Sequence, residues 1–147
     1  MSLPEADSAR WLLLDTHVVL WSAFDNARLG RAAKDAINRA STRGTSAISA
    51  ITPWEIGLLA SKKRIHLHKD TIDWVREALA KPGVRLIALD PEIAVACSHL
   101  PFEMHADPAD RILVATARHL GATLVTADER LLSLAQQGHF RALDARQ

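Results

Sequence analysis

Short apolar stretches alternate with longer amphipathic ones along most of the chain. The apolar stretches predict five short strands, at residues 11–14, 46–49, 84–89, 122–126 and 140–143. Periodic apolar positions between them, bounded by capping residues and glycines, predict helices at residues 18–24, 31–40, 52–64, 70–80, 90–98, 107–120 and 128–136. Strands that alternate with helices indicate an α/β fold, here a three-layer α/β/α domain with a mostly parallel central sheet.

Length and composition place this pattern in one domain. The chain has 147 residues, 48% of them hydrophobic and 24% charged, which is enough for one core and excludes a disordered chain. Residues 1–10 are interpreted as a short N-terminal leader and residues 11–147 as a single folded domain. No apolar run approaches the roughly 20 residues that a membrane helix needs, so no membrane is expected among the partners.

Charge and cysteine content narrow the possible functions only slightly. The net charge of +1 does not by itself indicate nucleic-acid binding, which needs a local basic patch. Cys97 is the only cysteine, so no intramolecular disulfide can form and a reducing cytoplasm is the simplest setting. The chain lacks the glycine-rich phosphate-binding motifs, and its histidines have no compact zinc spacing. The histidines considered were His66, His68, His99 and His105.

An acidic residue follows a capping residue by three positions at three predicted helix starts. The pairs are Thr52 with Glu55, Asp70 with Asp73, and Asp107 with Asp110. This spacing is a frequent structural device, so alone it predicts only where a helix begins.

The residues that share a helix face with each acid distinguish these three acids from one another. Asp73 shares its face with charged residues, which indicates a solvated surface. Asp110 and Glu55 each begin an apolar stripe that should face the core. The stripes contain Leu113, Val114 and Ala117 after Asp110, and Leu58 and Leu59 after Glu55. Arg111 and Arg118 are expected on the outer face of the Asp110 helix.

Two further acids stand at the ends of predicted strands. Asp15 follows the first strand and Asp128 lies just after the fourth. Taken alone, each is equally well interpreted as the N-cap of the next helix. If these two strands are neighbours, all four acids converge on one edge of the sheet. Carboxylates brought together repel one another, and a divalent metal with oxygen ligands, Mg²⁺ or Mn²⁺, would remove that conflict.

Four segments, in order, resemble the PIN-domain ribonucleases, and most closely the VapC-type toxins of bacterial toxin–antitoxin pairs. They are LLLDTHVVLW, TPWEIG, HADPADRILVATA and LVTAD, and the resemblance extends from about Trp11 to the C-terminus. One departure is Ala109, where family members often carry Phe; that position should concern packing.

The resemblance implies a compact PIN-like fold and a metal-dependent endoribonuclease that cleaves single-stranded or structured RNA with an activated water. It makes Asp15, Glu55, Asp110 and Asp128 the catalytic acids. Asp15, Asp110 and Asp128 would hold Mg²⁺ or Mn²⁺, while Glu55 orients the metal shell or helps to activate the water. The accessory residues are Asp107, Thr126 and Thr16.

Partners and rival functions remain open at this point. The resemblance implies a homodimer and a small antitoxin. A basic run begins at the end of the third predicted helix and contains Lys62, Lys63, Arg64, His66, His68 and Lys69. It is interpreted either as a solvated helix end or as a track for RNA phosphates. Trp11 is expected in the core, and Trp21 and Trp54 in semi-exposed positions. The rivals are a non-catalytic PIN-like binding module and a metal-dependent phosphatase or DNA nuclease.

Overall fold

The computed structural model of the protein describes residues 11–147, and the leader predicted for residues 1–10 lies outside this range. Strands and helices alternate in the order β1 (Leu12–Leu14), α1 (Thr16–Ala23), α2 (Arg31–Arg43), β2 (Ser46–Ser49), α3 (Ile51–Ser61), α4 (Thr71–Leu79), β3 (Val84–Ile87), α5 (Pro91–Ala96), α6 (Pro108–Leu120), β4 (Thr123–Thr126), α7 (Glu129–Gln136) and β5 (Arg141–Asp144). The five strands predicted from the apolar stretches are therefore present. No helix within the described range is long and apolar enough to cross a membrane.

The five strands form one sheet in the order β3-β2-β1-β4-β5, and every pairing is parallel. The first strand is central because its backbone pairs with β2 on one side and with β4 on the other. Leu14 lies opposite Val125, so the chain leaves both strands at the same edge of the sheet. The expected adjacency of the first and fourth strands is confirmed.

Helices cover both faces of the sheet, as the three-layer prediction requires. Leu12 and Leu14 face one apolar core, which receives side chains from α1, α2, α3 and α4. Leu13 faces the opposite core, together with side chains from α6 and α7. Trp11 is almost fully buried in this second core, as expected. A strand buried on both faces has no polar alternation, which explains the continuous run of leucines.

Two predicted helix starts were wrong, because α1 begins at Thr16 rather than at residue 18 and α3 begins before Thr52. Helix α3 begins at Ile51, and Thr52 is its second residue rather than its cap. Its N-cap residue is Ala50, which has no capping side chain, while the hydroxyl of Ser49 at the end of β2 accepts a hydrogen bond from the Ile51 backbone N–H at 3.1 Å. Thr52 is thereby free to direct its hydroxyl towards Thr16, 3.0 Å away.

Candidate active site

Asp15 lies where β1 leads into α1, and its carboxylate is held from two sides. Its Oδ1 accepts a hydrogen bond from the Thr16 backbone N–H at 2.7 Å, which makes it the N-cap of α1. Its Oδ2 accepts one from the Thr126 hydroxyl at 2.7 Å, across the junction of β1 and β4. The side chain is only 8% exposed. Asp15 is therefore both the cap of α1 and a buried acid.

Two threonines connect Asp15 to the other acids. The Thr16 hydroxyl donates to Glu55 Oε1 at 2.5 Å. The Thr126 hydroxyl accepts from the Asp128 backbone N–H at 3.1 Å while it donates to Asp15. Both threonines are buried. These two predicted accessory residues thus link Glu55, Asp15 and Asp128 through a short chain of hydrogen bonds.

Asp110 reaches the same edge of the sheet from the first turn of α6. Asp107 caps this helix and accepts hydrogen bonds from the backbone N–H groups of Ala109 and Asp110, at 2.9 and 3.4 Å. Leu113, Val114 and Ala117 are buried, so the face predicted for Asp110 is correct. Ala109 is buried as well, in agreement with a packing role for that position.

Two nitrogen-bearing side chains, those of His105 and Arg130, contact the acids, and neither was predicted from the sequence as a site residue. His105 Nε2 lies 2.7 Å from Asp110 Oδ2. The guanidinium of Arg130 lies 3.5 Å from that same oxygen and 3.2 Å from Asp128 Oδ2. The sequence predicted a solvated or loop histidine at His105, although its position five residues before Asp110 was an available signal. For Arg130 the only signal was its place two residues after Asp128.

Arg111 differs from its prediction as an outward-facing residue. Its side chain is half-buried and donates to the backbone carbonyl oxygens of Cys97, Met104 and His105, at 2.9, 3.2 and 3.4 Å. These carbonyls belong to the segment between α5 and α6, which has no regular secondary structure to satisfy them. Arg111 therefore fixes the backbone from which His105 reaches Asp110.

The face predicted for Glu55 was also partly wrong. Leu58 is 37% exposed and Trp54 is 57% exposed, whereas Thr52 and Ile56 are the buried residues of α3. Glu55 consequently stands at the border between the core and the solvent.

Burial dominates the electrostatics of three of the four acids. It raises the pKa of Asp15 above 3.8, against the opposing effect of the Thr126 hydrogen bond. It likewise raises the pKa of Glu55 and Asp110, and the charges of neighbouring carboxylates raise both further. For Asp128, burial acts in the same direction but is outweighed by hydrogen bonds from Arg130 and backbone N–H groups, so its pKa is lowered.

The donor set fits a hard divalent cation. All four acids offer oxygen, and Mg²⁺ or Mn²⁺ prefers oxygen ligands. A cation would also remove the cost of ionising Asp15, Glu55 and Asp110 together. Within residues 11–147, no group of three histidine, cysteine, aspartate or glutamate side chains is arranged as a ready metal site.

Comparison with known protein families matches residues 12–137 to the PIN domain. The chain belongs to the PIN-domain family. The sequence resemblance is thereby confirmed at the level of the family, and so is the α/β/α architecture that it implied.

This PIN domain is 38% identical over 122 residues to Ribonuclease VapC22 of Mycobacterium tuberculosis, a match that covers 83% of the chain and 90% of that relative. It also resembles VapBC2 from Rickettsia felis bound to a DNA fragment from their promoter, with a TM-score of 0.65 and 14% identity over 90% of this chain and 96% of that one.

Two further complexes are similar. One is DNA-bound VapBC from Salmonella typhimurium, with a TM-score of 0.64 and 16% identity, covering 92% of this chain and 98% of that one. The other is a toxin–antitoxin complex from Klebsiella pneumoniae, with a TM-score of 0.59 and 22% identity, covering 91% and 97%. At these identities the three structures establish the fold of the PIN domain.

Proposed function

We propose that residues 11–147 form a single PIN nuclease domain, and that the protein is a metal-dependent endoribonuclease acting in the cytoplasm as the toxin of a toxin–antitoxin pair. The observation that supports this is the hydrogen-bonded convergence of four acids at one edge of the sheet. These acids are Asp15, Glu55, Asp110 and Asp128. The named ribonuclease relative supplies the reaction class.

Asp15, Asp110 and Asp128 would hold the Mg²⁺ or Mn²⁺. Once bound, the ion lowers the pKa of a water molecule and offsets the negative charge that develops on the scissile phosphate. The Thr126 hydroxyl and the Thr16 backbone N–H each donate to one oxygen of Asp15, so that the orientation of this carboxylate is set before RNA binds. Asp15, held in this way, is preorganised to bind the metal ion.

Glu55 would take the proton of the attacking water. Its Oε1 is engaged by the Thr16 hydroxyl, which leaves Oε2 as the accepting atom. Because its pKa is raised by burial, this carboxylate is a stronger base than an ordinary exposed glutamate. Asp107 would remain a helix cap that determines where Asp110 points.

A panel of substrates tests the proposed function directly. The purified chain is incubated with RNA, single-stranded DNA and a small phosphoester, each with Mg²⁺, with Mn²⁺ and with EDTA. We expect cleavage of RNA with either metal and none with EDTA. Cleavage confined to DNA or to the phosphoester would replace this function with one of the rivals, and calorimetry showing no Mn²⁺ binding would favour a non-catalytic module.

The basic run at the end of α3 is the proposed track for the RNA backbone away from the metal. Lys62, Lys63 and Arg64 are all exposed, whereas Lys69 is paired with Glu77 at 2.7 Å. Unpaired surface cations are available to replace the counterions of phosphates.

Substitution of Lys62 and Lys63 by Gln should therefore weaken RNA binding at all sequences. The slope of log affinity against log salt should fall by about one for each phosphate that the variant no longer neutralises. The slope is measured by fluorescence anisotropy with labelled RNA over a range of salt concentrations. Lys69→Gln is the matched control, because its ammonium is already paired. An unchanged slope in the double variant would mean that the run is only a solvated helix end.

The proposed protein partners are a small antitoxin and a second copy of the chain. The solved structures that resemble the fold are toxin–antitoxin complexes. Trp54 is exposed and Trp21 is half-buried, as expected, and large aromatic side chains are frequent anchors at interfaces. Co-purification from the native host and light scattering of the isolated chain test the two partners separately.

A further inference from the structure

Arg130 occupies a position between two of the proposed metal ligands. It lies in the first turn of α7, and its side chain is 59% exposed. Its guanidinium lies 3.2 Å from Asp128 Oδ2 and 3.5 Å from Asp110 Oδ2, which brings one positive charge to two carboxylates from different helices. A divalent ion bound by Asp110 and Asp128 would place positive charge next to the same two carboxylates.

The surroundings give the Arg130 side chain room to leave. A cavity of about 470 Å³ lies beside it, between α7 and the segment that precedes α6. The lining residues are Met104, His105, Glu129, Arg130, Ser133 and Leu134. An exposed guanidinium on a flexible stem can move into such a space without disturbing the core.

We propose that Arg130 neutralises the acid cluster in the metal-free protein, that it releases Asp110 and Asp128 when a divalent ion binds them, and that it then binds a phosphate of the RNA. The first two parts concern the metal alone, and the third rests on the proposed ribonuclease function. A divalent ion and the Arg130 guanidinium repel each other, so they compete for these carboxylate oxygens. Once the ion neutralises both carboxylates, the released guanidinium is available to an incoming phosphate, because the nearby Glu129 is already paired with Arg146 at 2.8 Å.

The chain contains a matched control for this arginine. Arg146 stands two residues after Asp144, as Arg130 stands two residues after Asp128, and it contacts both oxygens of that aspartate at 2.9 and 2.8 Å. Its second partner is the exposed Glu129, at 2.8 Å, rather than a member of the acid cluster. Arg146→Gln therefore removes an equivalent charge and ion pair without touching the four acids.

Titration of the full chain with Mn²⁺ at low salt, followed by calorimetry, tests the competition. Arg130→Gln should tighten Mn²⁺ binding by about fivefold, a modest effect because exposed ion pairs are weak. Arg130→Lys should stay within about twofold of the wild-type protein, because a lysine retains the competing charge. Arg146→Gln should leave the affinity unchanged. Equal affinities in the wild type and Arg130→Gln, or equal tightening in both glutamine variants, would overturn the proposal.

The phosphate role is tested at saturating Mn²⁺, where competition no longer matters. Arg130→Gln should raise the KM for a short single-stranded RNA severalfold and lower the salt dependence of RNA binding by about one unit of slope, with little change in kcat. An unchanged KM and slope would refute this part. If the wild-type protein neither binds nor cleaves RNA, the proposed function and the phosphate role fail together, while the Mn²⁺ titration still decides the competition.

Discussion

Asp15→Asn is expected to lower RNA cleavage by about a thousandfold and, at the same time, to make the metal-free protein more stable at neutral pH. Activity should fall because the variant loses the proposed negative metal ligand whose two oxygens are already oriented by hydrogen bonds. Stability rises because burial raises the pKa of Asp15, so the folded protein retains its proton more strongly than the unfolded chain does. The measurements are initial cleavage rates and melting temperatures in EDTA.

The sign of the stability effect sets its pH window. An acid whose pKa is raised on folding costs stability as the pH increases above its ordinary value, here 3.8. The gain of Asp15→Asn, about 3 °C at neutral pH, should therefore disappear as the pH falls towards that value. Asp144→Asn is the control, because Arg146 lowers the pKa of Asp144; this variant should lose stability instead and retain cleavage. A melting temperature that is the same for Asp15→Asn and the wild type at every pH would contradict the account of burial.

Gly83→Ala is expected to cost about 3 kcal/mol of unfolding free energy or more. Gly83 has a φ of +80°, and a Cβ there would lie 1.7 Å from the backbone oxygen of Ser41. Its own carbonyl accepts a hydrogen bond from Ser46, so the turn cannot move without loosening the pairing of β2 and β3. Urea denaturation measures the loss.

Two other glycines separate the cost of the positive φ at Gly83 from the cost of its close contact with Ser41. Gly121 has a φ of +63° with open space around it, so Gly121→Ala should cost only the left-handed conformation, about 1 kcal/mol. Gly57 lies inside α3 with open space and an ordinary conformation, and Gly57→Ala should stabilise the protein by about 0.5–1 kcal/mol. If Gly83→Ala costs no more than Gly121→Ala, the close approach of the two backbones is not a constraint.

The strand pattern could be predicted from the sequence because each buried strand is a short apolar run with turn residues at its ends. The face of Asp110 was predictable for a similar reason: α6 has one apolar side and one polar side. Helix α3 carries apolar residues on all sides, so periodicity does not indicate which of them faces inwards, and Leu58 was misplaced. The start of α3 was misplaced because Thr52 is a good capping residue by local rules, whereas the observed N-cap is Ala50.

The contacts that Arg111 and Arg130 make around the acids could not be predicted from local sequence. Arg111 turns inwards because distant carbonyl groups need donors, and that need is visible only after the chain has folded. Arg130 reaches Asp110 because two helices begin at the same edge of the sheet, which depends on strand order. Helix faces and strand ends thus singled out the acids as candidates, while the contacts of Arg111 and Arg130 required the tertiary structure.

The central position of β1 has a consequence for how the protein is made. The hydrogen bond from Thr126 to Asp15 joins residues that are 111 positions apart, and β4 is synthesised after β1, β2 and β3. A nascent chain that stops before β4 carries Asp15, Glu55 and Asp110 but has no strand to bring Asp128 and Thr126 beside them. The ribosome that produces this protein therefore meets no assembled acid cluster until residues 123–128 have been synthesised, because strand pairing over such a distance cannot begin earlier.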